Sequence, residues 1–236
     1  MKVNFVSKLT EKNEILALIS DEKSLKDISG LNKNLLERIQ KTIKNENFKF
    51  NKFSTLEITN DKLGSFTKII LISPGQKTSL STKDFSLIGG KILQISSKSN
   101  SKKINVITAK EFSKDENLLK IGYGAILNTY RFDKYKTKKV KIIQINELKI
   151  ISKNATKLKK NFKHNQSLAE GVFLARDLVN EPSNILNPEA YAKRIRELSK
   201  YGLKIETLNE TKMKKLGMWS LLGVGRGSQY ESHLIS

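Results

Sequence analysis

Short apolar runs alternate with amphipathic stretches along the first 150 residues of the chain. Apolar residues recur at every fourth position over 31–45, which predicts one face of a helix, and the patterns at 83–97 and 117–132 predict two more. Strands are predicted where apolar residues run together or alternate with polar ones, at 3–7, 14–19, 48–59, 68–73, 104–108 and 138–146. Strands that alternate with helices indicate an α/β domain with a largely parallel sheet.

The pattern changes from residue 152, where one long helical stretch runs to Glu181. Its apolar residues form a single stripe, as in a helix that packs against a core. The members of the stripe are Leu168, Val172, Ala175 and Val179. Pro182 is expected to end this helix because the residue before a proline is pushed out of the helical region.

A new helix is predicted from Asn187, with Asn187 as its N-cap, Pro188 in its first turn and Gly202 as its C-cap. Its inner face would carry Tyr191, Ile195 and Leu198. The pattern then predicts a strand over 203–208, a short helix between Asn209 and Gly217, and a strand over 218–225. We therefore expect an N-terminal α/β domain over 1–150. Residues 151–236 would be a linking helix and the incomplete opening of a second α/β domain.

The composition is that of an ordinary soluble chain, with 38% hydrophobic and 28% charged residues among 236. No window approaches the ~20 consecutive apolar residues that a membrane helix needs. Charged residues interrupt the first twenty positions, where a signal peptide would have its apolar core. The chain has no cysteine, which excludes disulfides and thiolate metal sites. These features predict a cytoplasmic protein with no membrane partner.

The net charge of +21 raises the possibility of a nucleic-acid partner. Lysine supplies most of it, because 38 of the 44 basic residues are Lys and six are Arg. Phosphate and base recognition favours Arg for its planar, bidentate fork. The lysines are also scattered along the chain, so a generally basic surface is the favoured interpretation. Nucleic-acid binding remains an alternative.

The glycine-rich stretches do not complete any cofactor motif. Gly223, Gly225 and Gly227 form G-x-G-x-G, whereas the dinucleotide fingerprint needs its third glycine one position later. A P-loop would need a lysine after Gly227, so a tight structural turn is favoured there. Residues 73–79 end in Lys-Thr-Ser like a P-loop but lack its first glycine.

The sequence shows no motif for a metal site or for a catalytic nucleophile. The histidines, His164 and His233, show no metal-binding spacing, and there is no G-x-S-x-G elbow or cysteine nucleophile. Asp177 and Glu181 stand at helical i, i+4 spacing and could share a cation, although a solvated pair is favoured. From the residues we therefore assign no catalytic, metal-binding or cofactor-binding residue to this chain.

Three stretches stand out in order along the chain: GYGAILNTYRFDKYKTKK at 122–139, EGVFLARDLVNEPSNILNPE at 170–189 and LGMWSLLGVGRGS at 216–228. Together they resemble the leucyl aminopeptidases, the cytosolic two-metal aminopeptidase family. The first is similar to the segment closing that family's N-terminal domain, the second to its linking helix and N-x-P-x-N…P turn, and the third to a strand and turn of its catalytic domain. Before residue 122 the match is general, and Leu-Ile-Gly-Gly-Lys-Ile from residue 87 is like the family's Leu-Gly-Gly helix start.

The resemblance implies a macro-like α/β domain up to about residue 150, followed by the first part of an α/β metallo-aminopeptidase domain. In the family, two divalent cations (Mn²⁺, Zn²⁺ or Mg²⁺) activate a water that attacks the peptide carbonyl. Their ligands belong to V-G-K-G…F-D-x-G-G and N-T-D-A-E-G-R segments, and neither segment occurs here. The resemblance therefore implies a complete parent that cleaves peptides and is typically hexameric, whereas this chain alone binds no metal and is inactive.

The chain departs from the family pattern at two positions near its end. Trp219 stands where the family usually has glycine, and Arg226 where glutamine is common. We expect Trp219 to fill a core. Ser73-Pro74-Gly75 replaces a glycine-rich loop of the family, which argues against a phosphate site there. Two alternatives stay open: a nucleic-acid-binding module, and a non-catalytic paralogue that ends naturally at Ser236. The apolar run before Ser236 looks like the start of a strand.

Overall fold

The computed structural model describes residues 1–9, 14–28, 30–59, 63, 66–76, 80–138 and 144–236. The chain forms two compact units, Met1–Phe173 and Leu174–Ser236. One long helix begins in the first unit and ends in the second.

Over its described residues, the first unit contains six strands and four helices in the order typical of α/β proteins. They are β1 (Lys2–Val6), β2 (Glu14–Ile19), α1 (Lys33–Asn45), β3 (Thr55–Ile58), β4 (Phe66–Ile72), α2 (Thr82–Ser96), β5 (Lys103–Thr108), α3 (Asp115–Asn128), β6 (Glu147–Ile151) and α4 (Ala155–Asn180), with short 3-10 turns at Ser24–Asp27 and Lys110–Phe112. The strands form one sheet in the order β1-β6-β5-β2-β4-β3. Every pairing is parallel except that of β3 with β4. The predicted α/β fold with a largely parallel sheet is confirmed.

The core of this unit lies on both faces of the sheet. Ile15–Ile19 and Ile69–Ile72 are fully buried, because the central strands of a parallel sheet are covered on both sides. That covering explains why β2 and β4 read as continuous apolar runs in the sequence. Ion pairs border this apolar region, as where the Lys149 ammonium lies 2.9 Å from the buried Glu14 carboxylate.

Two glycines allow helices α2 and α3 to cross at very short range. A Cβ at Gly89 would fall on the carbonyl oxygen of Ile121, and a Cβ at Gly124 on that of Ser86. Neighbouring Gly90 is different, since its Cβ would come no closer than 3.6 Å to the carbonyl oxygen of Gly124. The close approach is therefore specific to one glycine on each helix.

The second unit consists of short elements. They are the end of α4, α5 (Pro188–Arg196), a 3-10 turn (Glu197–Tyr201), β7 (Thr207–Leu208), α6 (Glu210–Lys215), α7 (Trp219–Gly225) and β8 (Leu234–Ile235). Strands β7 and β8 pair antiparallel. Asn187 and Asn209 cap α5 and α6 through their side-chain oxygens, and Gly202 and Gly217 follow with positive φ, as expected.

Several predicted elements are corrected by the structure. Residues 219–225 form a helix and not a strand, and the strand expected over 203–208 is limited to Thr207–Leu208. Most of the strand predicted over 138–146 lies outside the described residues, since 139–143 are not described, and the strand observed here starts at Glu147. The expected stripe on α4 does not face a core, because Leu168 is 46% and Val179 85% exposed. The buried residues of α4 are Leu158, Phe162, Asn165 and Ala169.

Candidate functional site

The turn between α4 and α5 is built by local hydrogen bonds. Helix α4 ends at Asn180, two residues before Pro182, as the proline rule requires. The carbonyl of Pro182 accepts from the backbone N–H groups of Ile185 and Leu186, each at 2.9 Å. Asn187 then accepts from the N–H of Ala190 at 2.9 Å and starts α5. The sequence 180–190 therefore forms a compact, defined connection.

The carboxylate of Glu181 lies in this turn and is held by an arginine from α5. Its Oε1 is 3.3 Å from Nη2 of Arg194, and the Glu181 side chain is only 4% exposed. The favoured interpretation of Asp177 and Glu181 as a solvated pair is therefore wrong for Glu181. Because a guanidinium already occupies this carboxylate, the pair stabilises the turn rather than offering a vacant cation ligand.

The glycine-rich stretch near the end does not form the expected tight turn. Gly223 and Gly225 lie within α7, and neither they nor Gly227 have a positive φ. A Cβ at Gly225 would collide with the Ser232 hydroxyl, so the stretch after α7 lies close to the helix at this point. Gly217, whose φ is 70°, is the position where the left-handed conformation requires glycine.

Helix α6 is tied to the residues before β8 by two glutamates. The Glu231 carboxylate accepts from the backbone N–H of Glu210, and the Glu210 carboxylate accepts from that of Ser232, both at 3.0 Å. The hydrogen bond from Ser232, together with nearby Lys214, lowers the pKa of Glu210. Both carboxylates are therefore engaged in hydrogen bonds with backbone N–H groups of this segment.

The other residues singled out in the sequence do not converge. His164 is exposed on α4, and Nδ1 of His233 is buried with no hydrogen-bond partner in the described part of the chain. Trp219 is 64% exposed, so its expected place in a core is wrong. The P-loop-like stretch 73–79 is described only up to residue 76. Among the described residues, no three His, Asp or Glu side chains lie close enough together to hold a metal ion.

The first unit contains a cavity that the sequence reasoning missed. It has a volume of about 990 Å³ and lies where the carboxyl ends of β1, β6 and β5 meet. We call it the strand-edge cavity. Its lining residues are Ser7, Lys8, Leu9, Gly30, Ile107, Thr108, Lys110, Ser113, Ile151, Ser152, Lys153 and Asn154. The sequence did contain a signal for this cavity, namely polar residues directly after predicted strands. The carboxyl ends of parallel strands meet at one edge of a sheet, so such residues lie close together.

Two family models match the chain in sequence order. The model described as "Cytosol aminopeptidase family, N-terminal domain" matches residues 15–139, and "Cytosol aminopeptidase family, catalytic domain" matches 173–236. The chain belongs to the cytosol aminopeptidase family. The resemblance to leucyl aminopeptidases found in the sequence is thereby confirmed.

Relatives in the cytosol aminopeptidase family match the whole chain. The probable cytosol aminopeptidase of Rickettsia rickettsii (strain Sheila Smith) is 35% identical over 248 residues, covering 100% of this chain and 49% of the relative. The cytosol aminopeptidase of Rickettsia prowazekii (strain Madrid E) is 33% identical over 250 residues with the same coverage. The chain thus spans about half the length of these curated relatives.

Solved structures show the same fold. A mutant of tomato leucine aminopeptidase matches with a TM-score of 0.81 at 17% identity, covering 100% of this chain and 50% of that one. The bottromycin maturation enzyme BotP in complex with Mn matches with a TM-score of 0.71 at 19% identity, covering 94% and 44%. At these identities the likeness concerns the fold alone.

Within the described residues, no helix is both long and apolar enough to span a bilayer.

Proposed function

We propose that this chain is part of a leucyl-aminopeptidase-like exopeptidase, which removes N-terminal residues from peptides. In this proposal, residues 1–150 are the N-terminal α/β domain. Residues 151–236 are the linking helix and the opening of the catalytic domain. The observation that carries the proposal is the order of the two family matches, with the N-terminal model at 15–139 and the catalytic model at 173–236.

We propose further that the 236-residue chain alone does not hydrolyse peptides. A two-metal site needs several carboxylates converging on two cations ~3.5–4 Å apart. The described residues do not fit such a site, because no cluster of three metal-ligating side chains occurs among them. The conspicuous carboxylates of the second unit are engaged, that of Glu181 with Arg194 and that of Glu210 with the N–H of Ser232. Two divalent cations (Mn²⁺, Zn²⁺ or Mg²⁺) belong to the proposed complete protein.

The first test is to read the encoding DNA past codon 236. An open frame continuing into V-G-K-G-like and N-T-D-A-E-G-R-like segments is expected. A stop codon directly after Ser236 would overturn the proposed parent enzyme and favour the non-catalytic paralogue.

The second test assays the protein itself with Mn²⁺, Zn²⁺ or Mg²⁺ and leucine p-nitroanilide. No release of p-nitroaniline above the metal-only background is expected from the 236-residue chain. Metal-dependent turnover that a chelator abolishes would overturn its proposed inactivity. The matched comparison is the product of the full open frame, for which turnover is expected. Sizing that product by light scattering tests the proposed hexamer, and fractionating cells tests its proposed cytoplasmic location.

Nucleic-acid binding is a second candidate, favoured by the start of α4. Lys159, Lys160 and Lys163 are exposed there, on a chain with net charge +21. Binding through phosphates weakens steeply as salt rises, because neutralised phosphates release counterions. Titrating duplex DNA at 50 and 200 mM salt tests this candidate. Absence of binding at the lower concentration would remove it.

A further inference from the structure

The strand-edge cavity occupies the position where open α/β sheets bind ligands, outside the carboxyl ends of the strands. Strands β1, β6 and β5 are consecutive in the sheet and parallel, so the residues that follow them share one edge. Ser7 and Lys8 follow β1, and Ser152 and Lys153 follow β6. The backbone N–H of Ser152 bonds the carbonyl of Val6 at 2.9 Å, which continues the pairing to the cavity. The cavity is therefore part of the sheet's architecture.

Three lysines give this cavity a positive lining. Lys8, Lys110 and Lys153 come from the ends of three different strands and are all exposed. None of them forms an ion pair with another residue that the structure describes. Of the residues that the structure describes, no aspartate or glutamate lines the cavity. Three like charges around one concave space favour an anionic occupant.

Asp115, which contacts the lining residue Asn154, is already paired with other residues. Asp115 accepts hydrogen bonds from the Asn154 amide at 3.0 Å and from Lys157 at 3.1 Å. These hydrogen bonds, that of Asn154 foremost, lower the pKa of Asp115, so it stays charged and bound to them. Lys157 therefore balances the charge of Asp115, and Asp115 does not balance the charges of the three cavity lysines.

Neutral donors and an apolar wall complete the lining. Ser7, Ser113 and Ser152 bring hydroxyl groups, and Asn154 adds a side-chain amide directly before α4. Leu9, Ile107 and Ile151 supply apolar surface in the same space. A volume of about 990 Å³ is within the range of small-molecule sites, and far exceeds what inorganic phosphate alone would fill.

We propose that the strand-edge cavity binds a phosphate-bearing organic molecule of about nucleotide size. The phosphate lies among Lys8, Lys110 and Lys153, and the organic part lies against Leu9, Ile107 and Ile151. This site belongs to the first unit and is independent of the peptidase function proposed above.

Calorimetric titration of the 236-residue protein at 0.15 M ionic strength tests this site with three probes. The probes are adenosine monophosphate, adenosine and inorganic phosphate. Saturable binding of adenosine monophosphate is expected, at least tenfold tighter than that of either fragment. The triple variant K8M/K110M/K153M is expected to lose at least tenfold in affinity, because each lysine removed takes away a charge-assisted contact.

The matched control is K41M/K98M/K204M, which removes the same charge from exposed positions outside the cavity lining. Its affinity is expected to stay within twofold of the parent. Equal loss in both triple variants would overturn the proposal, since general attraction to a basic protein would explain it. The proposal would also be overturned if inorganic phosphate bound as tightly as adenosine monophosphate, or if the nucleotide did not saturate the protein at millimolar concentration. If the cavity variant loses its circular-dichroism spectrum, Lys110→Met alone replaces it under the same criteria.

Discussion

The first unit, Met1–Phe173, and the second unit, Leu174–Ser236, are stabilised in different ways. In the first, a six-stranded sheet is covered on both faces, and whole strands such as Ile15–Ile19 are buried. In residues 174–236, which are all described, Ala192 and Met213 are the buried apolar side chains. Large apolar residues stay exposed there, namely Leu174, Val179, Ile185, Tyr191, Tyr201, Leu203, Leu216, Trp219, Leu221, Val224 and Tyr230.

The second unit nevertheless has well-formed local structure. Asn187 and Asn209 cap helices, and Glu181 pairs with Arg194. The comparison teaches that caps and ion pairs can define short elements without the burial that stabilises a domain. We therefore expect changes in the first unit to cost global stability, and changes in the second to affect local structure.

The largest expected effect tests the close helix crossing of the first unit. Gly89→Ala should lower the free energy of unfolding by about 2–3 kcal/mol, because the added Cβ falls on the Ile121 carbonyl oxygen and must push α2 and α3 apart. Gly90→Ala is the matched control. It should be neutral or gain up to about 1 kcal/mol from helix propensity. Urea unfolding followed by circular dichroism measures both, and equal midpoints for the two variants would contradict the crossing.

The next effect tests the buried ion pair of the second unit. Arg194→Met should destabilise the turn after α4 by about 2 kcal/mol, because it leaves the Glu181 carboxylate buried without its guanidinium. The exposed neighbour in Lys193→Met provides the control, with an expected change within about 0.5 kcal/mol. Hydrogen exchange at the amides of α5 measures the loss. Unchanged exchange in Arg194→Met would show that Glu181 does not depend on Arg194.

A smaller effect compares the charged Asp84 carboxylate, which caps α2, with the neutral Asn187 amide, which caps α5. The Asp84 carboxylate accepts from the N–H of Ser81 at 2.7 Å and pairs with Lys52 at 3.0 Å. Burial alone would raise the pKa of Asp84, but these partners outweigh it and hold the pKa below its ordinary value. Its stabilisation is therefore complete above the ordinary pKa and is lost as the pH falls through the folded-state pKa.

Asp84→Ala should accordingly cost about 1 kcal/mol at neutral pH and progressively less in acid. Asn187→Ala should cost a similar amount locally in α5 at every pH, because an amide does not titrate in this range. Urea midpoints at several pH values measure the first variant, and amide exchange in α5 the second. A cost of Asp84→Ala that does not change in acid would contradict the charged cap.

The smallest effect concerns the single tryptophan. Trp219→Phe should change the free energy of unfolding by less than about 0.5 kcal/mol, because the side chain is 64% exposed. The emission maximum of the parent protein should already lie close to that of the urea-unfolded chain. A large red shift on unfolding would place Trp219 in an apolar environment and weaken the contrast between the two units.

The sequence predicted the elements of the first unit better than those of the second for a physical reason. Buried parallel strands such as β4 produce apolar runs bounded by turn residues, and these are distinctive. The run at 219–225 mixes tryptophan, leucine and valine with glycine over seven residues, too few for period to separate strand from helix. The apolar stripe of α4 was visible, but periodicity does not say whether a partner covers it.

The candidate sites were harder to predict than the fold. The pairing of Glu181 with Arg194 joins residues 13 positions apart across a turn, and spacing alone suggested only Asp177 as a neighbour. The strand-edge cavity draws its lining from segments as distant as Ser7 and Asn154. Only the strand order, which places β1 beside β6, brings these segments together.

The same strand order has a consequence for synthesis on the ribosome. In the described part of the chain, strand β1 is at the edge of the sheet and pairs with β6 alone. Asn4 of β1 hydrogen-bonds Glu147 of β6, which is 143 residues later. At ~5–20 residues per second, the first strand would wait on the order of 10 s before its partner is translated. Strand β1 is thus exposed to chaperones until the sheet can close.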